Sequence, residues 1–144
     1  MIALVDVKPG IAEEFHTDAI EMVRKNIFRP LPVQNMVQTA KFDPTQLEPT
    51  WDHLQLVYEF LLRFVVSSDI SATQLEKHIN EGFLTVFLGL FNTVDPRERD
   101  YLKTTLHRTY GKSMARRRFI RKSMCETFQD FVNGTFHHNG ISEL

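Results

Sequence analysis

Residues 95–122 read DPRERDYLKTTLHRTYGKSMARRRFIRK. Asp95, Pro96 and Glu98 fall where an N-cap, a first helical residue and a third helical residue belong, and proline is favoured at that first place. The stretch therefore predicts a capping box opening a helix that runs through Tyr110 and ends at Gly111. A second helix is expected over about 114–133, with Ile120, Met124, Phe128, Phe131 and Val132 on its buried side. NGT should stop it, and HHNGISEL reads as a turn into another helix. Two helices joined by a short turn make an antiparallel pair. The same stretch holds ten of the chain's seventeen Lys and Arg and only three of its eighteen Asp and Glu, in a chain whose net charge is −1. A negatively charged guest is the obvious inference.

Helical spacing continues outward in both directions. Over 12–29, Phe15, Ala19, Met22, Val23 and Ile27 recur every three or four residues. From 30 to 49 four prolines and no sustained period predict an extended surface loop. TWDHLQLVYEFLLRFVV follows, with Thr50 as N-cap and a face of Trp51, Leu54, Val57, Tyr58, Leu61, Leu62 and Val65. SSDIS breaks that helix, and a helix over 72–91 is expected, weakest at Gly82. No segment alternates with period two for long enough to be a strand. The chain reads as all-α and as a single domain over 1–144, built from antiparallel pairs, 50–67 with 72–91 and 95–111 with 114–133. An offset of 48 residues places Leu54 on Leu102, Tyr58 on Leu106 and Leu62 on Tyr110. That is the period of a HEAT-type α-solenoid, and periodicity alone leaves an ordinary helical bundle as the rival.

With 42% hydrophobic and 24% charged residues, the composition is that of a globular domain rather than a disordered chain. The most apolar run, FLTVFLGLF at 83–91, is far shorter than the ~20 residues that a bilayer demands, so no membrane role is expected. One cysteine, Cys125, has no partner for an internal disulfide, which points to the cytosol or nucleus. Catalytic chemistry is not legible. There is no phosphate-cradling glycine loop, His137 and His138 point apart on any regular element, and Cys125 has no partner at metal-binding spacing. Cys125 is expected as a small packed side chain, and His16, His53 and His78 as isolated surface or capping residues. No enzyme activity, cofactor or metal is expected.

The basic stretch has a face. Arg99, Lys103, His107 and Tyr110 follow at four, four and three residues and share one side of the helix, flanked by Arg108, while Leu102, Leu106 and Thr109 should be buried. Arg117 and Arg121 lie one turn apart on the next helix, beside Arg118 and Lys122. An antiparallel pairing brings Arg117 and Arg121 towards His107 and Tyr110 across a shallow groove. Arginine forks beside a flat aromatic wall suit a carboxylate or phosphate next to an apolar anchor. The residues themselves leave other readings open: a solvated basic face, a nuclear-localisation signal, or a nucleic-acid-binding helical repeat in which RRRFIRK tracks a phosphate backbone. The acidic remainder of the chain speaks against nucleic acid.

WDHLQLVYEFLLRF, FDPTQLEPTW, DPRERDYLKTTLHRTYGK and HHNGISEL, with FRPLP before them, resemble the B-prime (B-fifty-six) regulatory subunits of protein phosphatase two-A. The blocks keep the family's order from about residue 15 to the last. The resemblance implies an α-solenoid of HEAT-like repeats and a non-catalytic role. Such subunits dock on a scaffold subunit and a catalytic subunit and recruit substrates carrying an acidic motif of the Leu-x-x-Ile-x-Glu type. It implies peptide-binding positions at His107, Arg108 and Tyr110, around the leucine and a neighbouring phosphoserine or acid, and at Arg117 and Arg121, by the peptide's acidic groups. Lys103, from the helix face, completes the candidate peptide-binding set. Family members are longer, so the chain reads as an amino-terminal portion. Ser113 and Arg116 stand where the family is more apolar, which bears on the leucine pocket, and the TQLEPT loop is less acidic than is usual.

Overall fold

The computed structural model describes residues 13–31, 48–134 and 138–144. Six α-helices occupy them: α1 (Glu13–Ile27), α2 (Trp51–Val66), α3 (Ala72–His78), α4 (Glu81–Gly89), α5 (Pro96–Lys112) and α6 (Arg117–Val132). Single 3-10 turns at Leu90–Asn92 and Met114–Arg116 join α4 to α5 and α5 to α6. No strand occurs among the described residues, and the protein is all-α as its periodicity predicts. Most of the proline-rich loop expected over 30–49 lies outside the described residues.

Local chemistry corrects several boundaries. The expected 72–91 helix is two helices, broken at Ile79 and Asn80 rather than at Gly82. Asn80 accepts a bond from the Phe83 amide (2.9 Å) and so caps α4. The reciprocal capping box belongs to α3, where Ser71 and Gln74 exchange bonds of 3.2 and 3.0 Å. At α5, Asp95 is the N-cap and Pro96 opens the helix, but the Asp95 carboxylate accepts from the Arg97 amide (3.0 Å), and Glu98 does not complete a box. Thr50 holds the N-cap place of α2 without capping it, because its hydroxyl donates to Glu48 instead. Helix α5 passes through Gly111 to Lys112, since nothing there forces a left-handed backbone. Gly134, at φ +70°, supplies that conformation after α6, where the sequence NGT predicts a stop.

The buried faces follow the same logic. FLTVFLGLF is core as expected, with Phe83, Leu84, Phe87, Leu88, Leu90 and Phe91 buried. On α1 the buried stripe is His16, Ile20, Val23 and Ile27, and Phe15, expected inside, is 54% exposed. Both stripes satisfy three-and-four spacing, so the packing partner decides. That partner is aromatic: the His16 ring meets Phe64 of α2 and His78 of α3 edge-on, at 5.5 and 5.8 Å. Neither His16 nor His78 is the isolated surface group expected; His53 is exposed, bonded to Asn26 of α1 (2.8 Å). Phe64 joins the buried face of α2, while Leu62 is half-buried. On α6 only Ile120 is fully buried; Met124 and Phe128 are half-buried, and Phe131 and Val132 are exposed. Cys125 is exposed on the same helix, not packed.

Two of the three main helix contacts skip sequence neighbours. Helix α2 lies along α5, α1 along α2, and α4 along α6, in place of the expected pairs 50–67 with 72–91 and 95–111 with 114–133. Tyr58 and Gln55 of α2 bond Glu98 and Tyr101 at the start of α5, and Lys112 at its end donates to the Val65 and Ser67 carbonyls at the end of α2 (2.9 and 2.7 Å). The two helices therefore run parallel. Trp51, Tyr58 and Tyr101 fill the seam with ring centroids 5.8–6.3 Å apart.

Glu98 sits at the centre of this packing with no solvent exposure. Its carboxylate accepts from both terminal nitrogens of Arg29 (2.7 and 2.8 Å), from Tyr58 Oη (2.6 Å) and from Thr93 Oγ1 (2.8 Å). Arg29 also reaches Glu48 (3.0 Å). Burial opposes the Arg29 charge, and the bonds and attraction of the two glutamates overcome it, raising its pKa. Burial and the Glu98 charge push the Tyr58 phenol up, keeping it a donor. Removing one member of such a network leaves the others buried and unpaired. Glu98→Ala is expected to cost roughly 3–5 kcal/mol in urea unfolding; a loss under about 1 kcal/mol would show that the network carries no stability.

His78 yields a pH dependence. Its proton affinity is lowered by burial first, then by the charges of His16 and Lys77, with Glu13 opposing. The folded state thus favours neutral His78, while the unfolded chain binds its proton near pH ~6.5. Stability is present above that value and is lost as pH falls through and below it. The melting temperature should drop between about pH 7.5 and 5.5, and His78→Gln should flatten the drop; identical profiles would refute the assignment.

Candidate binding groove

Helix α5 divides its residues between two tasks. Leu102, Thr105, Leu106 and Thr109 are buried, as the parallel packing on α2 requires. Lys103, Thr104, His107 and Arg108 are exposed on the other side, and Tyr110 is half-buried at the edge. Helix α6 brings Ile120, Arg121 and Met124 opposite. Between the two helices lies a groove of about 680 Å³ whose walls include Lys103, His107, Arg108, Tyr110 and Arg121, with Leu106, Ile120 and Met124 as apolar surface. Five of the six positions singled out in the sequence meet here.

Arg117, the sixth, stands beside the groove rather than lining it. Its Nε donates to the Tyr110 carbonyl (2.8 Å) and one terminal nitrogen to the Gly111 carbonyl (3.1 Å), and the guanidinium lies 5.1 Å from the Tyr110 ring centroid. A cation there satisfies carbonyls at the end of α5, where the helix dipole is negative. Arg121 donates to Tyr110 Oη (2.8 Å). Tyr110 is thereby held at its backbone, its ring and its hydroxyl by two arginines of α6. Arg99, the first residue of the predicted stripe, turns away to the Thr93 carbonyl (3.0 Å) and the Glu143 carboxylate (3.3 Å).

Ser113 and Arg116 do not enter the groove. Ser113 is buried and its hydroxyl donates to Glu76 Oε1 of α3 (3.0 Å), while Arg116 donates to the Glu76 carbonyl (2.8 Å). Their polarity serves the turn rather than altering the apolar floor.

Sequence reasoning misses the far wall, which Glu143 and Leu144 provide. Asn139 anchors this segment by donating to the Asn92 side-chain oxygen (3.0 Å) and carbonyl (2.9 Å). Gly140 packs so close to Phe91 that a Cβ there would collide with its carbonyl oxygen. The NG pair marks a turn in the sequence, but nothing local says which helix the turn meets.

The groove presents cations beside an apolar surface. The Glu143 carboxylate at its rim is engaged by Arg99, leaving Lys103, Arg108 and Arg121 to set the local charge. Such a surface suits an anionic group joined to an aliphatic one. Among the described residues no three His, Cys, Asp or Glu side chains gather as a metal site, and no helix is long and apolar enough to cross a membrane.

The whole chain, residues 1–144, matches the profile of the protein phosphatase 2A regulatory B subunit, B56 family. The chain belongs to the B56 family. It is 46% identical over 138 residues to the serine/threonine-protein phosphatase 2A 56 kDa regulatory subunit delta isoform of Oryctolagus cuniculus, covering 93% of this chain and 24% of that protein. The 56 kDa regulatory subunit alpha isoform of Homo sapiens is 45% identical over 138 residues, covering 93% and 28%. A third relative, the serine/threonine-protein phosphatase 2A regulatory subunit pptr-1 of Caenorhabditis elegans, is 46% identical over 145 residues, covering 98% and 26%. The chain thus spans about a quarter of the length of these relatives.

The Gly140 contact makes the far wall testable. Gly140→Ala must displace either the turn or the Phe91 backbone, and overpacking of this kind costs ~1–3 kcal/mol. Thermal unfolding should show that loss, with faster amide hydrogen exchange through 138–144; unchanged exchange would mean the segment is not held by this contact.

Proposed function

We propose that this chain is part of a non-catalytic regulatory subunit of a protein phosphatase 2A holoenzyme, working in the cytosol or nucleus. In this reading it joins a scaffold subunit and a catalytic subunit and recruits substrates to them by holding a short acidic or phosphorylated segment of the Leu-x-x-Ile-x-Glu type. Family membership supports the regulatory role. The observation that carries the peptide reading is the convergence of Lys103, His107, Arg108, Tyr110 and Arg121 on one groove with an apolar floor. Arginine and lysine supply the anion contacts, and Leu106, Ile120 and Met124 the seat for an aliphatic side chain. The parallel stacking of α2 on α5 supports a HEAT-like solenoid, in which equivalent helices of successive repeats lie side by side.

The rival is nucleic acid, attracted by total charge. Arg121→Glu and Arg118→Glu change that charge equally, but Arg121 lines the groove and bonds Tyr110, whereas Arg118 is exposed and does not line it. Titration with a phosphorylated peptide carrying a Leu-x-x-Ile-x-Glu core should show a loss of at least about tenfold for Arg121→Glu and a much smaller one for Arg118→Glu. Equal losses that shrink together as salt rises, with an oligonucleotide binding as tightly as the peptide, would favour the nucleic-acid reading.

A further inference from the structure

We propose that Glu76, on α3 and outside the groove, is a positioning residue that fixes the angle at which α6 presents Arg121 and Arg117 to Tyr110. The inference rests on the peptide-groove reading above.

The turn between α5 and α6 is the hinge of the groove, since α5 carries one wall and α6 the other. Two side chains bolt that turn to the helices behind it. Lys112 ends α5 on the Val65 and Ser67 carbonyls of the α2 terminus, and burial there lowers its proton affinity. Glu76 takes the next residues. Its Oε1 accepts from the Ser113 hydroxyl (3.0 Å) and the Ala115 amide (3.4 Å), and its backbone carbonyl accepts from Arg116 (2.8 Å). One residue of α3 thus holds three of the residues that connect the walls.

The polar character of SMAR is explained by this clasp. Buried Ser113 would lack its side-chain acceptor without the Glu76 carboxylate, while the Arg116 bond to the Glu76 backbone carbonyl is independent of that side chain. The turn delivers α6 so that Arg117 reaches the Tyr110 and Gly111 carbonyls and Arg121 reaches Tyr110 Oη. Those bonds fall off steeply with distance and angle, so a small rotation of α6 would break them.

The experiment uses the 144-residue chain with Glu76→Ala, Glu76→Gln, Ser113→Ala and the double Glu76→Ala/Ser113→Ala variant. Affinity for the phosphorylated Leu-x-x-Ile-x-Glu peptide is read beside amide exchange over 114–122. Glu76→Ala should weaken binding about tenfold and speed exchange across that segment. Glu76→Gln should restore both, because its amide oxygen can accept the same two bonds. The double variant should be no worse than Glu76→Ala, as two ends of one interaction require. Lys103→Ala, a groove-lining control, should weaken binding and leave exchange unchanged. Wild-type affinity in Glu76→Ala, or unaltered exchange over 114–122, would overturn the positioning role. If the wild-type chain binds no peptide, the groove reading fails, and with it the role assigned to Glu76.

Discussion

A carboxylate without solvent is unstable unless several donors surround it, and the Glu98 side chain has four donor atoms at 2.6–2.8 Å. They come from the residues following α1, from α2 and from the loop before α5, so the requirement to satisfy one charge fixes three parts of the chain against the fourth. Asp95 repeats the principle at lower burden. Burial works against its charge, and the bonds from Arg97 and the Glu48 amide hold it below the ordinary carboxylate range. The opening of α5 is therefore a docking point as much as a helix start. Apolar packing supplies the bulk of the burial, and these charges choose which arrangement is built.

Parallel alignment of α2 and α5 follows from bonds at both ends of the pair, Tyr58 with Glu98 at one and Lys112 with the α2 carbonyls at the other. An antiparallel α5 would leave Glu98 and Lys112 at the wrong ends. Once α5 is held along its length by α2, its remaining face is free to be polar. The basic residues of 95–122 are then sorted by geometry: Arg97, Arg99, Lys112 and Arg116 serve local carboxylates and carbonyls, while Lys103, Arg108 and Arg121 line the groove. A charge excess that looks uniform in the sequence is divided between structural and solvent-facing tasks.

That division also accounts for Tyr110. Cation–π contact, a hydroxyl bond and a backbone bond all come from arginines one turn apart on α6. A tyrosine so restrained loses little further freedom when a guest arrives, which favours binding without adding contacts.

Periodicity, turn residues and the absence of alternating segments determined the helical class, and with it the amphipathic placement of Leu102, Leu106, Lys103 and His107 on α5. The block DPRERDYLKTTLHRTYGK was enough to mark the family, and the groove residues lay within helical reach of one another. Tertiary structure decided the rest. It selected His16 and Ile20 over Phe15 and Ala19, because two stripes of equal spacing can be told apart only by what they meet. It kept Glu98 out of a capping box with Asp95, because that carboxylate is taken up by Arg29, Tyr58 and Thr93; the box at Ser71 and Gln74 is local to its own helix start. It paired α2 with α5 across more than forty residues and brought Glu143 and Leu144 to the groove. Local sequence encodes the torsions and amphipathicity of each helix; the side chains that satisfy a buried charge or close a distant wall are set by three-dimensional proximity, which no short window contains.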